Sequence, residues 1–210
     1  MLRSSDTLVS DPQYARLKEH LIESTGLMYY ADKDVDLARR VGGRLATAGA
    51  HDCASYLDIL CDPLRGPSEL DALIAEITIG ETYFFRHQEH FDALRDLVLP
   101  DLIARNQTSR SLRIWCAGCA DGPEPYSLAI LLKRELAHQL LGWQVTILGT
   151  DINRRALARA RPVSRTGPPP CWPAVAGHIQ CHAAATVFCN VGSLGICDAV
   201  AGLKPGFWVA

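Results

Sequence analysis

The chain has no run of roughly eighteen or more apolar residues, which excludes a single hydrophobic helix crossing a bilayer. It lacks a dominant charge: 21 Lys and Arg stand against 23 Asp and Glu, a net charge of −2. No global basic character therefore advertises nucleic acid or an anionic membrane, and neither nucleic-acid binding nor membrane insertion is expected. No export leader is expected, because Asp6, Asp11, Glu19 and Glu23 are scattered through polar N-terminal sequence. A cytoplasmic location is the expectation. The eight cysteines then read as reduced thiols rather than a disulfide scaffold. Cys116 and Cys119 form a C-x-x-C, but no partner Cys or His pair at metal-ligand spacing accompanies it. Packing is the stronger reading of those two residues, and no metal is expected.

What is present is apolar sequence in two different patterns. With 210 residues and 48% hydrophobic content, the chain can fill one substantial core or two small ones. Residues 11–106 carry helical periodicity. Asp11-Pro12 opens a helix with Tyr14, Leu17, Leu21 and Ile22 on one side, ending at Gly26. A second spans Asp32 to Thr47 before Gly49, with Val35, Leu37, Ala38, Val41 and Leu45 as its apolar face; Arg40 and Arg44 lie on the other side. Those arginines read as an ordinary solvated face, with a docking surface for an acidic partner as the alternative. Asp52 to Leu60 gives a short helix stopped by Asp62-Pro63, and Ser68 is placed to cap a fourth from Glu69 to Ile77. The segment Thr78 to Arg86 holds two adjacent phenylalanines and one cation, a connector whose aromatics suit a seam between domains. A long helix from His87 to Arg105 follows, with Phe91, Leu94, Leu97, Val98 and Ile103 inward, then a polar hinge at 106–110.

From Ser111 the period changes. Strand (111–116), helix (124–140), strand (144–149) and helix (153–161) follow in turn, the opening of a doubly wound parallel sheet. Gly118 and Gly122 bracket the first strand-to-helix turn, where a missing Cβ lets backbone approach a ligand closely. The second strand ends in Asp151. An acidic residue there is placed to accept hydrogen bonds from ribose hydroxyls, so the pattern points to a nucleoside-containing ligand at the carboxyl edge. Each residue also has a plain structural reading. Asp151 could cap the following helix, and Glu124 could favour a helix N-terminus through the dipole.

Three segments, in order, carry a resemblance. Ala117-Gly-Cys-Ala-Asp-Gly-Pro-Glu-Pro-Tyr-Ser-Leu-Ala129 resembles the AGCxxGxEPYSLA signature of the CheR-type chemotaxis methyltransferases. Thr82-Tyr-Phe-Phe-Arg86 is similar to the T-x-F-F-R segment of that family, and Gly149-Thr-Asp-Ile-Asn153 to its turn after the second strand. The resemblance covers roughly residues 11–161 and implies an all-helical N-terminal domain followed by a Rossmann-like methyltransferase domain. It divides the chain into 1–86 (helical domain with the connecting segment), 87–161 (first half of the cofactor domain) and 162–210 (unassigned tail).

The resemblance implies S-adenosyl-L-methionine as cofactor and glutamate side chains of chemotaxis receptors as substrate. Asp151 would hold the ribose, Glu124 the methionine α-ammonium, and Ala117, Gly118 and Ile152 would line the cofactor. Thr82 and Arg86 would reach in from the connecting segment, Arg86 as the catalytic residue that also orients the incoming carboxylate. Arg40 and Arg44 match positions at which the family selects its receptor.

The family domain continues through a β-rich insertion and a C-R-N-V-x-I-Y-F segment, and neither is recognisable here. Phe188-Cys-Asn-Val191 echoes the latter without its arginine and reads as chance. The C-terminal part is therefore expected to be aberrant or truncated, a shifted reading frame being one account of it. That departure keeps open an alternative to the enzyme: a catalytically inactive relative that docks on receptors or signalling partners. A third reading is an enzyme using the same cofactor on another protein carboxylate.

Overall fold

The computed structural model describes residues 5–160 and 179–181; the Phe188–Val191 echo and the rest of the tail lie outside them. The described chain separates into two units, one through Ile79 and one from Gly80 onward.

The first unit is helical: α1 (Ser5–Val9), α2 (Tyr14–Thr25), α3 (Asp34–Ala48), α4 (Cys53–Cys61) and α5 (Gly66–Ile77), with a 3₁₀ turn at Met28–Tyr30. The sequence did not disclose α1, whose Leu8 is buried. One core gathers Leu8, Leu17, Leu21, Leu37, Val41, Tyr56, Leu73 and Ile77, each such side chain stabilising the unit by about 1.5–3 kcal/mol relative to exposure. The start of α4 is fixed by a reciprocal cap. Asp52 accepts the Ser55 N–H at 2.8 Å, while the Ser55 hydroxyl accepts the Asp52 N–H at 3.2 Å.

Several sequence expectations change here. Val35 is 58% exposed, because its place on the helical wheel lies about 100° off the stripe of Leu37, Ala38, Val41 and Leu45. α5 begins two residues before Ser68, at Gly66-Pro67, since proline suits the first helical positions; the Ser68 hydroxyl donates to the Arg65 carbonyl instead of capping. Arg44 is not on a solvated face. Its guanidinium makes two bonds to Glu69, at 3.0 and 2.6 Å, and the Tyr56 hydroxyl donates to the same carboxylate. Arg40 donates to the Glu76 carbonyl near the end of α5 at 2.9 Å. Both arginines thus tie α3 to α5.

The second unit begins with the connecting segment and a helix in three parts: α6 (Gln88–Ala93), a π turn (Leu94–Val98) and α7 (Leu99–Arg105). Pro100 has no N–H to donate to the carbonyl four residues back, and the Leu99 N–H reaches Leu94, five back. The extra residue advances the buried stripe. Leu97, expected inward, is 70% exposed, and Leu99 takes the buried position at 1%.

Strand β1 (Ser111–Ala117), helix α8 (Pro123–Glu135), strand β2 (Gln144–Thr150) and helix α9 (Arg154–Ala160) follow. Helix α8 ends at Glu135, short of the expected 140. β1 and β2 pair in parallel from Ser111 opposite Gln144 to Ala117 opposite Thr150. A short strand β3 (Ile179–Cys181) adds in parallel to β2, giving the order β1-β2-β3. Leu112, Ile114 and Cys116 alternate inward along β1 and meet Phe91, Leu99, Leu128, Leu132, Ile147 and Leu157 in the second core. Among the described residues no helix is long and apolar enough to cross a membrane.

Candidate functional site

Parallel pairing in register brings the carboxyl ends of β1 and β2 side by side. Ala117 and Gly118 close β1, both exposed; Thr150 and Asp151 close β2. The Cys119 N–H donates to the Thr150 carbonyl at 2.9 Å, so the turn after β1 folds over the end of β2. The Trp115 indole N–H donates to the Thr150 hydroxyl, also at 2.9 Å, a second tie between the strands. Gly118 has φ +72° and open space where a Cβ would stand. Gly122 has φ +102°, and a Cβ there would meet Ala160 Cβ at 3.1 Å and Tyr126 Cε2 at 3.2 Å. The first glycine leaves an uncovered backbone surface; the second permits close packing of α8 on α9.

Asp151 does more than end a strand. Its Oδ2 accepts the Ala120 N–H at 2.7 Å and its Oδ1 accepts the Asn153 N–H at 2.7 Å. Ala120 is held at a left-handed φ of 48°, so the carboxylate stabilises an unfavourable turn. The helix-capping role belongs to Asn153, whose side chain accepts the Ala156 N–H at 3.0 Å. A carboxylate oxygen has two lone pairs, so each Asp151 oxygen keeps one acceptor site beyond its backbone bond.

Glu124 sits exposed in the first turn of α8. The positive end of the helix dipole stabilises a carboxylate there. Cys116 and Cys119 are buried and not joined in a disulfide. Cys119 Sγ would lie 3.0 Å from a Cβ at position 149, so it fills the space that Gly149 leaves.

The segment 80–87 is anchored on α8 within the same unit. The Phe85 N–H donates to the Ser127 hydroxyl at 2.9 Å, and the Phe85 ring packs edge-on against Phe91 at 5.2 Å. Thr82 and Arg86 are half-buried. The Arg86 guanidinium donates to the Glu81 carbonyl at 2.6 Å and approaches the Glu81 carboxylate at 3.9 Å. No hydrogen bond or ion pair joins it to Glu124 or Asp151. The structure therefore gathers Ala117, Gly118, Asp151 and Ile152 at one sheet edge with Glu124 on the helix that follows. Arg86 is tied to that helix through its neighbour Phe85.

Sequence reasoning missed Ser127 and the Asp151–Ala120 bond. Both lie inside the motifs that were singled out, but their partners are 42 and 31 residues away, and no local pattern reports such distances.

The residues present suit a nucleoside cofactor. A backbone surface uncovered at Gly118 and a carboxylate with free acceptor sites at Asp151 stand beside a second carboxylate at a helix start. The class is that of S-adenosylmethionine-binding methyltransferase domains: residues 80–164 match the family model described as "CheR methyltransferase, SAM binding domain". Among curated proteins, a chemotaxis protein methyltransferase of Borreliella burgdorferi is 32% identical over 155 residues, covering 73% of this chain and 54% of that protein. A probable chemotaxis protein methyltransferase of Rhizobium etli is 34% identical over 122 residues (58% and 45%), and the chemotaxis protein methyltransferase of Escherichia coli is 29% identical over 153 (73% and 50%). The chain spans about half the length of these relatives. Over residues 80–164 the chain thus matches the S-adenosylmethionine-binding domain of the CheR methyltransferases, and S-adenosylmethionine is its cofactor.

Proposed function

We propose that this protein is an S-adenosylmethionine-dependent methyltransferase acting on glutamate side chains of chemotaxis receptors. The observation that carries the reading is the edge itself: Asp151 keeps acceptor capacity next to the open backbone of Gly118, within the segment that matches the cofactor-binding family. The relatives' names support chemotaxis as the setting.

When bound, S-adenosylmethionine supplies an electrophilic methyl group on a sulfonium, open to in-line displacement. The chain's own work is then mostly positional. Asp151 accepts from the ribose hydroxyls with the lone pairs its backbone bonds leave free. Glu124 pairs with the α-ammonium, and Ala117, Gly118 and Ile152 line the cofactor. Thr82 and Arg86 would contact the cofactor from the connecting segment, and Arg86 would also orient the incoming carboxylate. A glutamate substrate is already ionised at neutral pH and needs no general base. Rate comes from holding oxygen, carbon and sulfur in line with water excluded.

Docking on the receptor would not use Arg44 without breaking its bidentate pair with Glu69, and Arg40 is engaged at Glu76. We assign both to the helical unit's stability. The test is transfer of labelled methyl from S-adenosylmethionine to receptor-enriched membranes, with Arg86→Ala in parallel. Base-labile label in the receptor band that Arg86→Ala abolishes supports the reading; no transfer by the wild-type chain overturns it.

A further inference from the structure

Ser127 is fully buried, at 0% exposure, in the second turn of α8. Its hydroxyl has two jobs. It donates to the Pro123 carbonyl at 2.7 Å, within its own helix, and it accepts the Phe85 N–H at 2.9 Å. That second bond reaches a backbone held in an unfavourable state. Phe85 has φ +56° and His87 φ +59°, so two non-glycine residues in left-handed conformation bracket Arg86. Such residues persist only where surrounding structure over-determines them. Two supports surround Phe85, the Ser127 hydroxyl and the ring contact with Phe91.

We propose that Ser127 is a positioning residue: its hydroxyl latches the Thr82–Arg86 segment onto α8 and thereby sets where Thr82 and Arg86 stand. The positioning consequence rests on the reading above, in which those two residues serve the cofactor; the latch itself does not. Serine suits the task for a chemical reason. Alanine would serve α8 better by propensity, yet it offers no acceptor to a backbone N–H arriving from outside the helix. The donor to Pro123 orients the hydroxyl so that a lone pair faces Phe85. Because Glu124 lies in the turn before Ser127, one helix end then references both the carboxylate and the arginine-bearing segment.

The test compares the full wild-type chain with Ser127→Ala and Ser127→Thr. Amide hydrogen exchange resolved to Phe85 reads the latch without any ligand. Titration with S-adenosylmethionine reads the consequence. Ser127→Ala is expected to raise the Phe85 exchange rate and weaken cofactor binding by about threefold to tenfold each, the range set by one hydrogen bond. Amides of α8 beyond its first two turns should keep wild-type exchange, and Ser127→Thr, which restores a hydroxyl, should recover most of both losses. Unchanged Phe85 exchange in Ser127→Ala overturns the latch. Faster exchange with unchanged affinity overturns the positioning role. A wild-type chain that binds no cofactor sinks the functional reading instead, and the exchange data still decide the latch. Should Ser127→Thr unfold from overcrowding, Ser127→Cys takes its place: similar in size and a weak acceptor, it should fall between wild type and alanine.

Discussion

Replacing Asp151 by asparagine separates its structural from its binding role. The aspartate accepts two backbone N–H groups at 2.7 Å, one on each oxygen. Asparagine keeps a single acceptor oxygen and points an amide NH₂ at the other donor. One charge-assisted bond is lost and a donor–donor contact appears. A hydrogen bond to a charged group contributes about 1.5–3 kcal/mol, and half-burial lets water recover part of that. A loss of about 2 kcal/mol remains, which for a chain of this size lowers Tm by roughly 4–8 °C. The turn at Ala120, with its φ of 48°, should be the first place to loosen. Affinity for S-adenosylmethionine should fall further, by about tenfold or more, because the charge and one of the two free acceptor sites are gone and an amide donor faces one ribose hydroxyl. Differential scanning calorimetry and ligand titration on the same preparation measure the two effects. A variant that melts within about 1 °C of wild type and binds equally well would refute the reasoning, since neither bond could then matter.

Other perturbations have equally definite outcomes. Gly122→Ala should cost more stability than Gly118→Ala, about 2–3 against 1–2 kcal/mol by denaturant titration, because a Cβ at 122 meets Ala160 and Tyr126 while one at 118 meets nothing; equal costs would contradict that packing. Arg44→Ala strands a Glu69 carboxylate whose side chain is 12% exposed, and should destabilise the helical unit by about 3 kcal/mol, whereas the exposed Arg39→Ala should change thermal unfolding little. Burial, first of all, raises the phenol pKa of Tyr14, Tyr30 and Tyr56 above the ordinary value. A raised folded pKa gives stability that is complete below the unfolded value near 10 and lost progressively as pH climbs from there through the higher folded value. All three phenols lie in the helical unit, so its circular dichroism should fall above about pH 10, and Tyr56→Phe should lessen the drop.

The periodic signals were legible in the sequence because they are local. Leu17 and Leu21, or Leu37, Val41 and Leu45, repeat at helical spacing, and Leu112, Ile114 and Cys116 alternate on β1; all are buried as that spacing requires. What failed was phase. The π turn ahead of Pro100 moved the buried position from Leu97 to Leu99, a shift that depends on one missing donor. Long-range pairing was invisible as well: nothing near Arg44 announces Glu69, and nothing near Asp151 announces Ala120. The residues of the candidate site could be named because motif order carried them. Which backbone groups they hold became visible only in the fold, and so Ser127 went unremarked inside a segment already quoted.

Calorimetric titration of the intact chain with S-adenosylmethionine tests the central claim most directly, because every role given to Asp151, Glu124 and Arg86 presupposes the cofactor at this edge. The account predicts saturable binding at one site, competed by the demethylated product and weakened by Glu124→Gln. No heat up to about millimolar ligand, from a chain whose circular dichroism shows it folded, would contradict it.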